Sequence, residues 1–199
     1  MVNLSDREIS AGIIESCRAG DRDAFRALYD LYKDQVYSIS LYFFHGDQAL
    51  ACDVTQQVFL KLMTNISQFR GEAEFSTWLY RLVVNACMDT ARRRKAETAV
   101  ADRSRLEAFG QPGSQEDDYA RAQMAMSVRS AVWALPPKFR IAVLLRYFED
   151  LSEAQTAMVL RCSVGTVKSQ AARGLARLRA STADVGGRNA DARERHGAS

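Results

Sequence analysis

Apolar residues in this chain return every three to four positions, and no stretch alternates them with polar residues over a strand's length. The pattern predicts helices throughout. Ser5 and Glu8 have capping-box spacing ahead of Ile9, Ile13 and Cys17, a short stripe that ends near Gly20. A longer helix is expected from Asp21 to His45, with Phe25, Leu28, Tyr32, Val36 and Ile39 inward and Gly46 as its stop. From Asp47, Leu50, Val54, Val58 and Leu62 form one row and Ala51, Phe59, Met63 and Ile66 lie beside it, a broad face for burial. The segment from Phe69 to Phe75 breaks the period. Ser76 can then cap a helix running through Trp78 to about Arg94, with Leu79, Leu82, Val83 and Ala86 inward.

Residues 96–120 carry no sustained apolar period, contain Gly110, Pro112 and Gly113, and read as a flexible linker with an acidic patch at Glu116, Asp117 and Asp118. Beyond it Met124, Val128, Ala131, Val132 and Leu135 form one helix, and Pro136 and Pro137 mark the start of the next. Ile141, Leu144, Leu145 and Phe148 are expected to bury that second helix against the next two. Ser152 can cap a helix beginning at Glu153, and Ser163 can cap another after a turn of a few residues, with Val164, Val167, Ala171, Leu175 and Leu178 inward. Ala157 and Gly165 are small enough to let these two helices cross closely. The expected fold is all-α: two small helical domains, 1–95 and 121–180, joined by the linker 96–120, the second domain carrying a helix-turn-helix. Residues 181–199 lack an apolar period and are expected to form a disordered tail.

Charge gives the helix-turn-helix its meaning. Its second helix leaves Thr166, Ser169, Gln170, Arg173 and Arg177 on the outward face, and no carboxylate occurs between Ala154 and Ala183, where Arg161, Lys168 and Arg179 add further positive charge. Such a face suits the DNA major groove, which admits an α-helix whose first turns reach base edges while flanking cations hold phosphates. An ordinary helical hairpin with a solvated basic face would show the same pattern. The helix after Ser76 presents Trp78, Tyr80, Arg81, Asn85, Asp89 and Arg92 outward, followed by Arg93, Arg94 and Lys95. Rings that stack on unpaired bases, an amide that reads their edges and cations that hold the backbone are what single-stranded nucleic acid needs. Alternatively Trp78 and Tyr80 finish the core. Asp53, Gln56, Gln57 and Lys61 lie on the polar side of the preceding helix, available to a partner.

The net charge of +3 is unevenly placed, acidic over the first 60 residues and basic at Arg92–Lys95 and in the last helix, which suggests both a nucleic acid and a protein partner. The four cysteines form no CxxC pair and the two histidines are far from any ligand-like cluster, so neither metal nor cofactor is expected. No apolar run approaches a membrane span and the N-terminus does not read as a signal peptide; a cytoplasmic protein without membrane insertion is expected. There is no Gly-rich phosphate loop, HExxH or GxSxG, and a strand-transfer enzyme would need a strand-rich domain that the helical first half does not supply.

Asp53-Val-Thr-Gln-Gln-Val-Phe59, Phe69-Arg-Gly71, Phe75-Ser-Thr-Trp-Leu-Tyr-Arg-Leu-Val-Val-Asn85 and Asp89 to Arg94 resemble region 2 of bacterial sigma factors of the extracytoplasmic-function (ECF) group. Leu135-Pro-Pro-Lys-Phe-Arg140, Leu144-Leu-Arg-Tyr-Phe148, Leu151-Ser152 and Ser163-Val-Gly-Thr-Val-Lys-Ser169 resemble region 4 of the same group, in the right order and at the right distance. The resemblance implies that Asp53, Gln56, Gln57 and Phe59 dock on core RNA polymerase. It implies that the Phe69–Phe75 loop and the helix with Trp78, Tyr80, Arg81 and Asn85 open the minus-ten element and hold a flipped base of the melted non-template strand. Flipping costs a few kcal/mol, which a pocket and a stacking surface must offset. Lys168, Ser169, Ala172 and Arg173 stand at the positions that read the duplex minus-thirty-five element, and an anti-sigma factor is implied as a further partner. Gln57 departs from a usual acid, Thr156 from a usual Ile, and Arg161 from a frequent Gly in the turn, where a left-handed conformation would cost a residue with a Cβ about 1 kcal/mol. A stand-alone helix-turn-helix regulator, which would bind duplex promoters without polymerase, is the alternative reading.

Overall fold

Capping side chains and left-handed glycines divide the first half of the chain into antiparallel helices. The computed structural model describes residues 12–100 and 128–196, with side chains for 12–96 and 128–181. Ser5, Glu8 and the 96–120 linker beyond Val100 therefore lie outside the described residues. Helix α1, residues 12–18, buries Ile14 and Cys17 and ends at Gly20, whose φ of +87° is open to glycine at little cost. Asp21 then accepts hydrogen bonds from the backbone N–H groups of Asp23 (2.8 Å) and Ala24 (3.3 Å) and starts α2, Arg22–Phe43. Gly46, at φ +85°, closes α2 by donating to Leu41 O over 2.8 Å. Asp47 caps α3, Gln48–Asn65, by accepting from Leu50 N at 2.9 Å.

Leu28, Val36, Ile39, Phe43, Val54, Val58 and Leu62 interlock in a dry seam between α2 and α3, and α4, Phe75–Val100, closes the bundle with Leu79, Val83, Ala86 and Cys87. Helix α4 starts one residue before the expected cap. Phe75 buries its ring against Tyr32 (centroids 5.5 Å apart) and Phe69 (5.4 Å), and helical backbone at Phe75 puts it on the face of Leu79. Ser76 therefore sits inside the helix. The helix also continues to Val100, into the segment expected to be linker. Met63, expected inward, is 52% exposed; the bundle buries a narrower face of α3 than a three-residue-wide stripe implies.

The second half follows the same grammar. Helix α5, residues 128–134, leads to Pro136 and to α6, Pro137–Val143, which continues as one wide turn with π spacing over Leu144–Phe148. Helix α7, Glu153–Leu160, opens with a complete capping box: Gln155 N donates to Ser152 Oγ at 3.1 Å and Ser152 N to Gln155 Oε1 at 2.9 Å. It ends at Arg161, whose φ of +52° and ψ of +47° are left-handed, so this turn adopts the conformation anticipated for a glycine. Ser163 accepts from Thr166 N at 3.1 Å and starts α8, Val164–His196. Helix α8 thus runs through the segment expected to be a disordered tail.

Three residues in this half depart from expectation. Val164 is 39% exposed rather than inward, because as the first residue of α8 it lies over the open turn. Phe148 is 43% exposed; the wide turn carries its ring away from the helix-turn-helix and toward Tyr42 of α2, 4.8 Å between centroids. Gly165 is not the close approach: a Cβ there would meet only Ser163 Oγ, at 3.8 Å. The tight approach of α8 is to a different helix, α6, at Gly174, where a Cβ would lie 2.6 Å from Val143 Cγ2. The two halves share one apolar core, in which Val132, Ile141, Leu144, Leu145 and Val159 join the interior of the first bundle.

Gly174→Ala should lower the urea midpoint. Overpacking against the stiff, buried Val143 costs about 1–3 kcal/mol, more than the roughly 0.5–1 kcal/mol that alanine gains in a helix. A midpoint that stays or rises would mean that α8 does not depend on contact at this point. Thr156 is fully buried and its hydroxyl has no hydrogen-bond partner among the described residues. Thr156→Val should therefore stabilise the chain by about 1 kcal/mol in the same titration, since it removes an unsatisfied buried polar group; no gain would show that the hydroxyl is paired in solution.

Candidate nucleic-acid interface

The Ser163 cap sets the start of α8 and with it which side chains face out. Lys168, Ser169 and Arg173 are exposed, and Thr166 and Gln170 are half-buried beside them. Thr166 is held at the first turn by a 2.9 Å hydrogen bond between its hydroxyl and that of Ser163. Lys168 Nζ lies 3.4 Å from Glu153 Oε2 across the turn, so this cation is already directed by α7. The Arg177 guanidinium sits 4.9 Å from the ring centre of Phe139, which fixes it at the α6 edge of the face while Arg173 points outward. A groove of about 230 Å³ runs beside this face, lined by Arg146, Lys168 and Arg179 among others, and adds positive field where a phosphate backbone would pass. The five outward positions therefore lie on one continuous surface.

The second candidate face, on α4, is split by burial. Asn85 is exposed. Arg92, Arg93 and Arg94 follow it, also exposed; Arg92 pairs with Asp89, Arg93 donates to Thr90 Oγ1 at 3.1 Å, and Arg94 lies 3.4 Å from Asp47 Oδ2. Trp78 is half-buried and packs with Phe69 (5.6 Å) and Phe75 (5.8 Å), where the Phe69–Phe75 loop turns at Gly71 with φ +72°. Tyr80 does not lie outside. It is 5% exposed, and its hydroxyl donates to Glu149 Oε2 at 3.0 Å. Burial, then the Glu149 charge, drive the phenol pKa far up, so it remains a donor; burial likewise raises the Glu149 carboxyl, partly offset by the Tyr80 hydrogen bond. Arg81 is also engaged, its Nε donating to Met158 O at 2.9 Å. Helical periodicity within α4 marks Tyr80 and Arg81 as outward because it carries no information about α7 and the wide turn, which cover them.

On α3, Asp53 and Gln56 are exposed and Gln57 is half-buried, as a docking face requires. Phe59 is not part of that surface: it is 8% exposed, its ring edge-on to Tyr29 at 4.7 Å. The apolar side chains on this side are Leu60 (62% exposed) and Met63 (52%), four residues beyond Gln56 and seven beyond it. Hydrophobicity alone assigns them to the core; their positions in line with Asp53 and Gln56 at helical spacing are the signal that could have placed them outside.

The joint between the halves was not legible either. Arg140 is 5% exposed and donates to Phe43 O of α2 at 2.6 Å, to Leu135 O at 2.9 Å and to Trp133 O, with its guanidinium 4.1 Å from the Trp133 ring and 5.0 Å from the Phe43 ring. Among the described residues no group of His, Cys, Asp and Glu is arranged to hold a metal ion, and no helix is long and apolar enough to cross a membrane. Cys17 and Cys87 are buried, and burial pushes the Cys87 thiol up to about 12, which leaves it protonated and unreactive.

Residues 28–97 match the family described as sigma-70 region 2, and residues 125–178 the family described as sigma-70, region 4. The ECF RNA polymerase sigma factor SigW of Bacillus subtilis is 31% identical over 180 residues, 86% of this chain and 96% of that protein. The ECF RNA polymerase sigma-E factor of Escherichia coli is 30% identical over 176 residues, 84% of this chain and 91% of that protein. Among solved structures, the sigma factor RpoE in complex with the anti-sigma factor NepR from Bartonella quintana superposes with a TM-score of 0.65 at 20% identity, over 79% of this chain and 96% of that one. CnrH, in complex with the cytosolic domain of CnrY, superposes with a TM-score of 0.63 at 23% identity, over 88% of this chain and 95% of that one. These likenesses share the fold. With both sigma-70 regions matched in order and with relatives matched over nearly their whole length, the chain belongs to the ECF sigma factors of the sigma-70 family, the factors that bind core RNA polymerase and promoter DNA.

Proposed function

We propose that this sigma factor divides its work between its two domains: residues 1–95 dock on core polymerase and recognise and melt the minus-ten element, and residues 121–180 read the minus-thirty-five element. The observation that carries the assignment is the pair of separate basic faces, one on α4 around Asn85 and one on α8 around Arg173, each exposed and each on its own domain. On α8, Lys168, Ser169 and Arg173 reach base edges, Thr166 and Gln170 flank them, and Arg177 holds phosphate. On α4, Asn85 reads an unpaired base, the half-buried Trp78 provides stacking surface and Arg81 charge, with the buried Tyr80 as support behind them, and Arg92, Arg93 and Arg94 track the backbone.

Asp53, Gln56 and Gln57 form the polymerase contact, with Leu60 and Met63 as its apolar part and Phe59 as the support behind it. RpoE was solved with the anti-sigma factor NepR and CnrH with the cytosolic domain of CnrY, and an anti-sigma partner is extended here to this chain. The protein works in the cytoplasm, where polymerase and DNA are, and no chemical step is assigned to it.

Two substitutions test the division of labour. Arg173→Ala should weaken promoters that depend on a minus-thirty-five element by about 1–3 kcal/mol in transcription competition assays; equal promoter strength would remove α8 from recognition. Asn85→Ala should relax base preference in the minus-ten element while core binding is retained. Permanganate footprints with the parent's base profile would contradict the role given to Asn85.

A further inference from the structure

A carboxylate stands at the edge of the basic α8 face. Lys168 Nζ lies 3.4 Å from Glu153 Oε2, the lysine's one ion pair among the described residues. The groove beside them is lined by three cations, Arg146, Lys168 and Arg179, and among the described residues Glu153 is the single acid in its wall. Near a phosphate backbone a carboxylate repels what the cations attract, so Glu153 weakens the general pull of this face on DNA. Nor does the pair hold the fold together: Lys168 is 62% exposed and Glu153 40%, and ion pairs so open to water contribute little to stability. An acid in the first turn of α7 suits the positive end of that helix, but this role needs no lysine opposite. The consequence of the pair lies in where Lys168 points.

We propose that Glu153 is a positioning residue for minus-thirty-five recognition: it holds the Lys168 ammonium off the DNA backbone and toward the base edges, so that Lys168 discriminates between bases instead of binding any phosphate. The inference rests on the minus-thirty-five reading of Lys168. A lysine carries a compact charge on a flexible four-carbon stem and is drawn to the nearest anion, which on DNA is a phosphate. Little else braces this stem: Val167 before it is buried, and Ala171 and Ala172 in the groove wall are small. Glu153 supplies the restraint. Its backbone is fixed by the Ser152–Gln155 capping box, with bonds of 3.1 and 2.9 Å, and the start of α8 is fixed by the 3.1 Å bond from Thr166 N to Ser163 Oγ. Carboxylate and lysine therefore meet across a turn pinned at both ends. At 3.4 Å the pair is longer than a strong hydrogen bond, so the ammonium donors stay available to base-edge acceptors such as guanine O6 and N7.

The test uses the full-length chain as holoenzyme with core polymerase, on duplex promoters randomised in the minus-thirty-five element and fixed elsewhere, at equal holoenzyme concentration. The parent, Glu153→Gln, Lys168→Ala and the double variant are compared by sequencing the bound templates; glutamine keeps the length of the side chain and removes its charge. Lys168→Ala should flatten base preference at one position, which identifies the base pair that Lys168 reads. Glu153→Gln should lower preference at that same position at least about threefold. Its binding to duplex without promoter sequence should become more salt-dependent by about one phosphate contact, as Lys168 turns to the backbone. With Lys168 already alanine, Glu153→Gln should leave the base profile as it is, whereas a change in fold or in the general charge of the face would alter it in either background. A parent profile in Glu153→Gln overturns the proposal, and so does a change of profile as large with Lys168 absent as with it present. If Lys168→Ala itself keeps the parent profile, the minus-thirty-five reading of Lys168 fails and the proposal with it; if only Glu153→Gln is silent, that reading stands and the positioning role alone is lost.

Discussion

The arrangement of the two halves depends on one buried cation that has no carboxylate beside it among the described residues. Arg140 lies between the Trp133 and Phe43 rings and gives its N–H groups to three main-chain carbonyls, one of them Phe43 O at the end of α2. The last carbonyls of a helix have no partner within it and carry the negative end of its dipole, so a guanidinium there satisfies a hydrogen bond and a field together. Burial lowers the Arg140 pKa to about 10, still well above neutrality, and the side chain stays charged. Removing a charge from water is costly, and carbonyls and aromatic faces supply the compensation that a carboxylate would otherwise give.

With α2 pinned to α6 in this way, Ile141, Leu144 and Leu145 complete a core that α2 and α4 begin, and the helix-turn-helix comes to rest over α4. Helix α4 thereby has two neighbours with different claims on it. Its Leu79, Val83 and Ala86 side belongs to the first bundle; on its Tyr80 and Arg81 side the second domain adds two hydrogen bonds to the shared apolar core, to which α7 contributes Val159.

Much of the architecture could be read from local chemistry. Asp21, Asp47, Ser152 and Ser163 cap helices as their residue types and positions indicate, because a cap depends only on the next three residues. Arg161 adopts the left-handed conformation that the turn demands despite its Cβ. The recognition-helix face was legible because nothing in the described structure covers Arg173 or Ser169. Positions decided by a second element were not legible. Tyr80 looks outward in α4 and is buried by a residue 69 positions away; Phe148 looks inward and instead meets Tyr42. Phe59 is buried as its place in the apolar stripe of α3 indicates, and Met63 of the same stripe is exposed, because α2 covers one edge of α3 and not the other. Gly174, not Gly165, marks the tight approach of α8, since it is α6 that brings the Val143 side chain to where a Cβ would collide.

The central claim is that this chain confers promoter choice on core RNA polymerase, and transcription in vitro tests it most directly. Purified bacterial core polymerase, with and without the protein, would be given a pool of templates carrying randomised upstream sequence, with a known sigma factor as control. The account predicts transcripts that start at defined sites only when the protein is present, from templates sharing two spaced motifs. No protein-dependent start, from a polymerase that responds to the control factor, would contradict it.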